Sequence, residues 1–281
     1  MGKDLNKRER PLVPEMGGLA VMLGFYLGVS LLIIVAVSLP PSVFYASLAA
    51  SLGAGFVGLI DDMFGLRQRA KAVLPFLLAI PLGAVAYSSG DTYLLGVNLG
   101  LLTVLVIPLG VTSAANATNM LEGLNGLGAG MGIIMTVALV ILAFLQGSPG
   151  GLFIAFPLLG ALVAFLAFNK YPARVFPGDS MTLFMGAAIA SIAIVAHQKT
   201  IGAILFAPMI VEFGLKLRSH FHAENYGTPD DAGRLHHTGQ IGSLTHLIMH
   251  ERPMKEWQIV AALWCLEGCV SLLVVALVVI Q

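Results

Sequence analysis

Apolar residues in this chain come in long unbroken runs, not in the period-2 or period-3.6 stripes of a fold that shows one face to water. The runs fall at about 17–39, 42–60, 72–88, 99–115, 131–146, 151–168, 181–196, 201–218 and 257–280. Roughly 20 apolar residues cross a hydrocarbon core of about 30 Å as a helix, so the pattern predicts about nine membrane-spanning helices. That makes the chain an all-α polytopic membrane protein with a single transmembrane unit over residues 1–281. Several runs are nearer to about 16 residues, so those helices are expected to begin or end inside the polar motifs beside them. No fixed-period repeat or low-complexity tract interrupts the series.

Composition agrees. The 281 residues are 57% hydrophobic and 11% charged, against about 25% charged in soluble domains. A cytosolic globule is excluded. Fifteen Lys and Arg balance fifteen Asp and Glu, which leaves no basic surface for a nucleic-acid partner. Cys265 and Cys269 stand four apart in one apolar run; they read as small packing residues, not as a metal cage or disulfide framework. The polar start, MGKDLNKRERPLVPEM, lacks the apolar core of a secretory signal, so the N-terminus is expected to stay where it is made. From an inside start, fourteen of the fifteen basic residues fall on one side and only Lys199 on the other. Because cytoplasmic loops collect Lys and Arg, that side is expected to be the cytoplasm.

The same side carries the chemistry, in four segments. In GLIDDMFGLRQRAK, Asp61 and Asp62 directly follow an apolar run, with Arg67, Arg69 and Lys71 next. A carboxylate in the membrane costs roughly 3 kcal/mol on insertion scales, so the pair calls for a cation, for phosphate chemistry, or simply for the nearby arginines at a helix end. In NATNMLEGLNGLGAGMG, Asn116, Asn119, Glu122 and Asn125 stand among five glycines. Oxygen ligands at i, i+3 and i+6 share a helix face, which suits a hard cation or a nucleotide; polar packing between membrane helices is the alternative. In NKYPARVFPGDSMTLFMG, Asp179 opens an apolar run. It is placed as an N-cap, and with a divalent ion it could also hold phosphate against the open amides of Ser180 to Thr182. The fourth segment is the long loop at about 219–256, with six of the seven histidines. Zinc is disfavoured there, since no cysteine joins in. A polar clamp of Arg234, His236 and His237 for phosphate or sugar hydroxyls competes with plain solvated histidines. Glu212 and Glu267 lie in apolar runs outside these segments, and Glu267 is expected to face a bundle interior or a subunit contact.

Together these motifs resemble the polyprenyl-phosphate N-acetylhexosamine-1-phosphate transferases. The match runs through KDLNK, PEMGG, DDMFGLRQRAK, NATNMLEGLNGLGAG and YPARVFPGDS, in order, over most of the chain. KDLNK, the YPARVF run and GLNG look more like the branch that makes GlcNAc-diphospho-dolichol. The resemblance implies transfer of GlcNAc-1-phosphate from UDP-GlcNAc to a dolichyl-type polyprenyl phosphate, giving GlcNAc-diphospho-polyprenol and UMP, as in the first membrane step of N-glycosylation. It implies Mg²⁺, with Mn²⁺ as a substitute, held by Asn119 and Asp179. Asn125 and Phe176 would meet the uracil, and Glu15 would join the substrate site. Asp61, Asp62 and Lys71 would line the site near the phosphates as its catalytic residues, and Arg234, His236 and His237 would meet the sugar-phosphate end. A homodimer is the family expectation. The family has ten helices with KDLNK after the first, whereas this chain starts at that motif, which gives ten minus one. RLHH stands where an Arg-His-Arg or His-x-Arg pattern is expected, so another UDP-N-acetylhexosamine, for a cell-wall or surface polysaccharide, is the alternative. The rival from a different class is a secondary transporter, which usually places its ions near mid-bilayer; here the polar groups gather at one face.

Overall fold

The computed structural model describes residues 1–36 and 41–280. Its helices are α1 (Gly17–Val35), α2 (Ser42–Phe64), α3 (Gln68–Ser88), α4 (Thr103–Leu121), α5 (Leu127–Leu145), α6 (Pro149–Asn169), α7 (Gly178–Val195), α8 (Lys199–Leu205), α9 (Ala207–Arg218), α10 (Leu244–Glu251) and α11 (Glu256–Ile280). Short antiparallel strands sit at the bundle ends: β1 (Gly2–Lys3) with β2 (Leu12–Val13), β3 (Tyr93–Leu94) with β4 (Val97–Asn98), and the three-stranded β5 (Thr228–Pro229), β6 (Arg234–His236) and β7 (Met254–Lys255). Hydrocarbon offers no partner for a backbone amide, so the apolar runs satisfy their own amides as helices. The last three residues of the expected 17–39 run lie outside the described residues. As the short runs imply, α2 continues through Asp61 and Asp62, α4 through Asn116 and Asn119, and α5 starts at Leu127.

Eight helices are long and apolar enough to cross a membrane, and α8 with α9 forms a bent pair broken by 57°. Pro208 causes the break, since it has no N–H for the preceding turn and its ring disfavours a helical residue before it. The two ends of the pair lie at opposite ends of the bundle. Lys199 donates to Asp91 Oδ1 at 2.5 Å beside the β3–β4 hairpin, while just past α9 Asn225 donates to the carbonyls of Met120 and Glu122 at the C-terminal end of α4. The bent pair therefore completes one passage, the ninth expected from the sequence.

Helix α7 is the hub, buried almost without interruption from Ser180 to Val195. Glycines let its neighbours come close. A Cβ on Gly58 of α2 would stand 2.3 Å from the Asp179 carbonyl oxygen, and one on Gly186 would stand 2.3 Å from that of Ala114 in α4. Polar side chains tie these contacts at two depths: Ser51 meets Ser191 at 3.0 Å, and Thr118 donates to the Thr182 carbonyl at 2.7 Å. Helices α1 and α11 instead leave residues such as Leu27, Leu31, Leu272 and Leu273 exposed, the face a lipid-contacting helix presents. Cys265 and Cys269 are free and exposed on α11.

The 219–256 segment is more ordered than a loop. Ser243 caps α10 by accepting from Thr245 N, and Glu212 of α9 accepts from Leu244 N at 2.7 Å. The intramembrane Glu212 is thus a helix cap. Glu267 faces the interior, fully buried, with Ser271 donating to it at 3.4 Å.

Candidate active site

The ends of α2, α4 and α7 and the start of α3 meet at one end of the bundle. Asp61 sits in the last turn of α2, where its Oδ1 accepts from Leu66 N at 2.5 Å. Its Oδ2 lies 2.5 Å from Lys71 Nζ, and Lys71 lies 2.5 Å from Asp179 Oδ2. One ammonium therefore bridges two carboxylates that are 118 positions apart in sequence. Asn116 braces this lysine by donating to its carbonyl at 3.4 Å.

The structure reassigns the cap of α7. Asp179 lies in the first turn and makes no cap bond; Asp62 takes that role across the interface, its Oδ1 accepting from Asp179 N at 2.7 Å and its Oδ2 from Ser180 N at 3.0 Å. A carboxylate at a helix N-terminus is favoured by the unpaired amides and the dipole there. The Ser180 amide expected to be open to phosphate is accordingly occupied. Gly178 makes the approach possible: it adopts φ +70°, and a Cβ there would stand 2.5 Å from Asp62 Oδ2.

Beside this cluster lies a cavity of about 280 Å³, lined by Lys3, Asp4, Leu5, Asn6, Asn119, Glu122, Gly123, Leu124, Asn125, Asn169, Phe176, Pro177, Gly178, Asp179, Thr182 and Tyr226. Asn119, Asn125, Phe176 and Asp179 converge here. Asn119 donates to Thr182 Oγ1 at 2.9 Å, which leaves its Oδ1 as the atom that could ligate a cation in the cavity that Asp179 also lines. Phe176 is fixed through its backbone, donating to the Pro14 carbonyl at 2.8 Å and accepting from Gly17 N at 3.0 Å. Asp61, Asp62 and Lys71 flank the cavity through Asp179 and do not line it.

Other expected residues lie apart. Glu15 is outside the lining and rests 3.2 Å from the Met1 amino group. Arg234, His236 and His237 are also outside it. Asp230 binds both the Arg234 amide and its Nε at 2.8 Å, which holds that carboxylate below its ordinary pKa and keeps the guanidinium at the β5–β6 turn. His237 stacks on His246, with centroids 3.7 Å apart and planes 6° from parallel. Burial first, then the charges of His237 and Lys216, push the His246 pKa down to about 4, so a neutral ring supports His237 from below.

Asp4, Asn6, the Thr182 side chain and Tyr226 also line the cavity without having been expected there, and of the oxygen ligands expected at i, i+3 and i+6 it receives Asn119 and Glu122 but not Asn116. KDLNK itself was a signal for Asp4 and Asn6. Glu122 turns back onto Gly128 at the start of α5, and its Oε2 is buried there without a hydrogen-bond partner. Burial pushes its pKa up to about 8. Among the described residues, no group of three or more His, Cys, Asp or Glu side chains could enclose a metal. With Glu122 protonated at neutral pH, Asp4 and Asp179 still outnumber Lys3 in the lining, so an anionic diphosphate would need a compensating cation. Hard oxygen donors from Asn119 and Asp179 fit magnesium, which typically takes one or two protein ligands and completes its shell with water and substrate phosphate.

A family model described as glycosyl transferase family 4 matches residues 43–197. A Saccharolobus solfataricus protein provisionally named UDP-N-acetylglucosamine–dolichyl-phosphate N-acetylglucosaminephosphotransferase is 41% identical over 99% of this chain and 88% of its own length. A protein of the same provisional name from Sulfolobus acidocaldarius is 39% identical over 98% of the chain and 86% of its length. In Methanocaldococcus jannaschii, a provisionally named glycosyltransferase is 33% identical over 97% of the chain and 87% of its length.

Proposed function

Because this chain belongs to glycosyl transferase family 4, we propose that it transfers GlcNAc-1-phosphate from UDP-GlcNAc to a dolichyl-type polyprenyl phosphate. At the coarser level it is a multi-pass membrane phosphotransferase of the polyprenyl-phosphate sugar-1-phosphate class. The observation that carries the finer reading is the meeting of Asn119, Asp179 and the Lys71 ammonium with Asn125 and Phe176 at one end of the bundle. A nucleotide base and a phosphate group would find separate subsites there, within reach of a lipid tail in the surrounding bilayer.

In this reading the lipid phosphate attacks the phosphorus nearest the sugar, in line. The bond from that phosphorus to the bridging oxygen breaks, its electron pair leaves with UMP, and a new P–O–P linkage joins sugar and lipid. Positioning and charge stabilisation dominate phosphoryl transfer. A phosphate monoester has its second pKa near about 6, so the nucleophile is largely anionic at neutral pH and needs little help from a base. Asp61 suits a positional role: it holds Lys71 against Asp179 while its other oxygen is taken by the Leu66 amide. Asn119 and Asp179 would hold Mg²⁺, which when bound neutralises the diphosphate. Phe176 offers a ring face to the uracil, and Asn125 its amide edge.

The test is purified protein in detergent, assayed for UMP release with UDP-GlcNAc and a polyprenyl phosphate. Release is expected to require both the lipid phosphate and a divalent ion, and to fall at least about 100-fold in Asp179→Asn and Asn119→Ala. Asp61→Asn is expected to keep a measurable fraction at elevated pH. UMP release indifferent to lipid phosphate would overturn the reading, and preference for a different UDP-N-acetylhexosamine would overturn the sugar assignment.

A further inference from the structure

The KDLNK segment makes a set of contacts that the transfer reaction does not use directly. Asp4 Oδ2 accepts from Asn125 Nδ2 at 3.1 Å. Glu256, the first residue of α11, accepts from the Asn125 backbone N–H at 2.7 Å through Oε1. Lys7 sits between the two acids, 3.3 Å from Asp4 Oδ2 and paired with Glu256 Oε2. Asn6 holds the same turn from its other side, donating to the Gly123 carbonyl at 2.9 Å and accepting from Gly227 N at 3.2 Å. Asp4, Asn125 and Glu256 are all buried. Burial works against the Lys7 ammonium, yet Glu256 and Asp4 raise its pKa above the ordinary lysine value.

An asparagine amide can face a ligand with its donor or its acceptor, and rotation by half a turn exchanges them. A carboxylate paired to an ammonium only accepts. Asp4 therefore selects the Nδ2 end of Asn125, and the Oδ1 end, which takes no side-chain or backbone donor among the described residues, is left to the cavity. At the edge of a pyrimidine that acceptor suits the N3–H of uracil. The N3 of cytosine, in the same place, is itself an acceptor and would face it unpaired, the kind of mismatch that a polar site rejects strongly.

Building on the proposed uridine nucleotide site, we infer that Asp4, held by Lys7, which Glu256 pairs in turn, is a positioning residue that fixes the Asn125 amide and thereby selects uracil over cytosine. The device lies away from the reacting phosphates. It joins three separate parts of the chain: the N-terminal hairpin, the α4–α5 turn and the start of α11.

The experiment is calorimetric binding of UMP and of CMP to the full-length protein in detergent, for wild type and Asp4→Asn, a variant of equal size whose amide can donate as well as accept. Wild type is expected to prefer UMP by about tenfold or more, and the variant to prefer it by less than about threefold. Steady-state assay of the variant is expected to show a raised KM for the UDP-sugar with kcat largely kept. If Asp4→Asn weakens both nucleotides equally, Asp4 is merely structural and the inference fails. Should the variant not fold, the wild-type ratio still decides: equal binding of UMP and CMP overturns the inference while leaving the nucleotide site intact. Binding of neither nucleotide overturns the site itself.

Discussion

Glu122 shows what a single residue can report. A free glutamate titrates near 4.5, whereas burial pushes this one up to about 8. Between those values the folded chain holds a proton that the unfolded chain has released, so stability falls as pH rises through that window. Below the lower value both states are protonated and the penalty vanishes. Thermal melts from pH 5 to pH 8 are therefore expected to fall more steeply for wild type than for Glu122→Gln, which keeps the shape without the titration. Parallel melting curves for the two proteins would contradict this account. The motif that contains Glu122 was visible in the sequence, but its burial was not, because burial depends on how α5 turns back over the α4 end.

At the scale of elements, two helix starts are secured by a carboxylate from another helix. Asp62 of α2 binds two amides at the start of α7, and Glu212 of α9 binds one at the start of α10. Each arrangement stitches a pair of helices as well as capping one of them. Losing a capping carboxylate typically costs about 0.5–2 kcal/mol. Asp62→Ala is expected to lie at the upper end, about 2 kcal/mol, because two charge-assisted bonds go at once. Thermal or denaturant unfolding in detergent measures the loss, and Asp62→Asn, which keeps an accepting oxygen, is expected to recover part of it. The polar spacing around Asp179 suggested a local cap, and that position is indeed where α7 begins. The capping group comes from 117 residues away, and no local pattern could have named it. The kink at Phe206 is different: Pro208 announces it in the sequence, since a missing N–H is a property of the residue alone.

For the whole molecule, the polar machinery occupies one end of the bundle, and the opposite end carries short connections such as the β3–β4 hairpin with its Asp91, His197 and Lys199 contacts. The excess of basic residues at the first end predicts that it faces the cytoplasm. Labelling checks this. With Cys265 and Cys269 replaced by serine, a membrane-impermeant maleimide on intact cells is expected to modify Ser89→Cys and to spare Ala232→Cys until the cells are opened; the reverse pattern would invert the orientation. The sequence by itself determined the apolar runs, their approximate limits and the gathering of most acids, amides and histidines on one side. Hydropathy and charge act through the bilayer on each segment separately, so they are readable segment by segment. Only tertiary structure decided which of those groups touch. Packing around α7 set Lys71 between Asp61 and Asp179, turned Asp62 to the helix start, kept Arg234 and His237 out of the cavity and brought Asp4 and Glu256 to Asn125. Hydrogen bonds and ion pairs act over about 3 Å, and a separation that small between distant residues is fixed only when the helices dock.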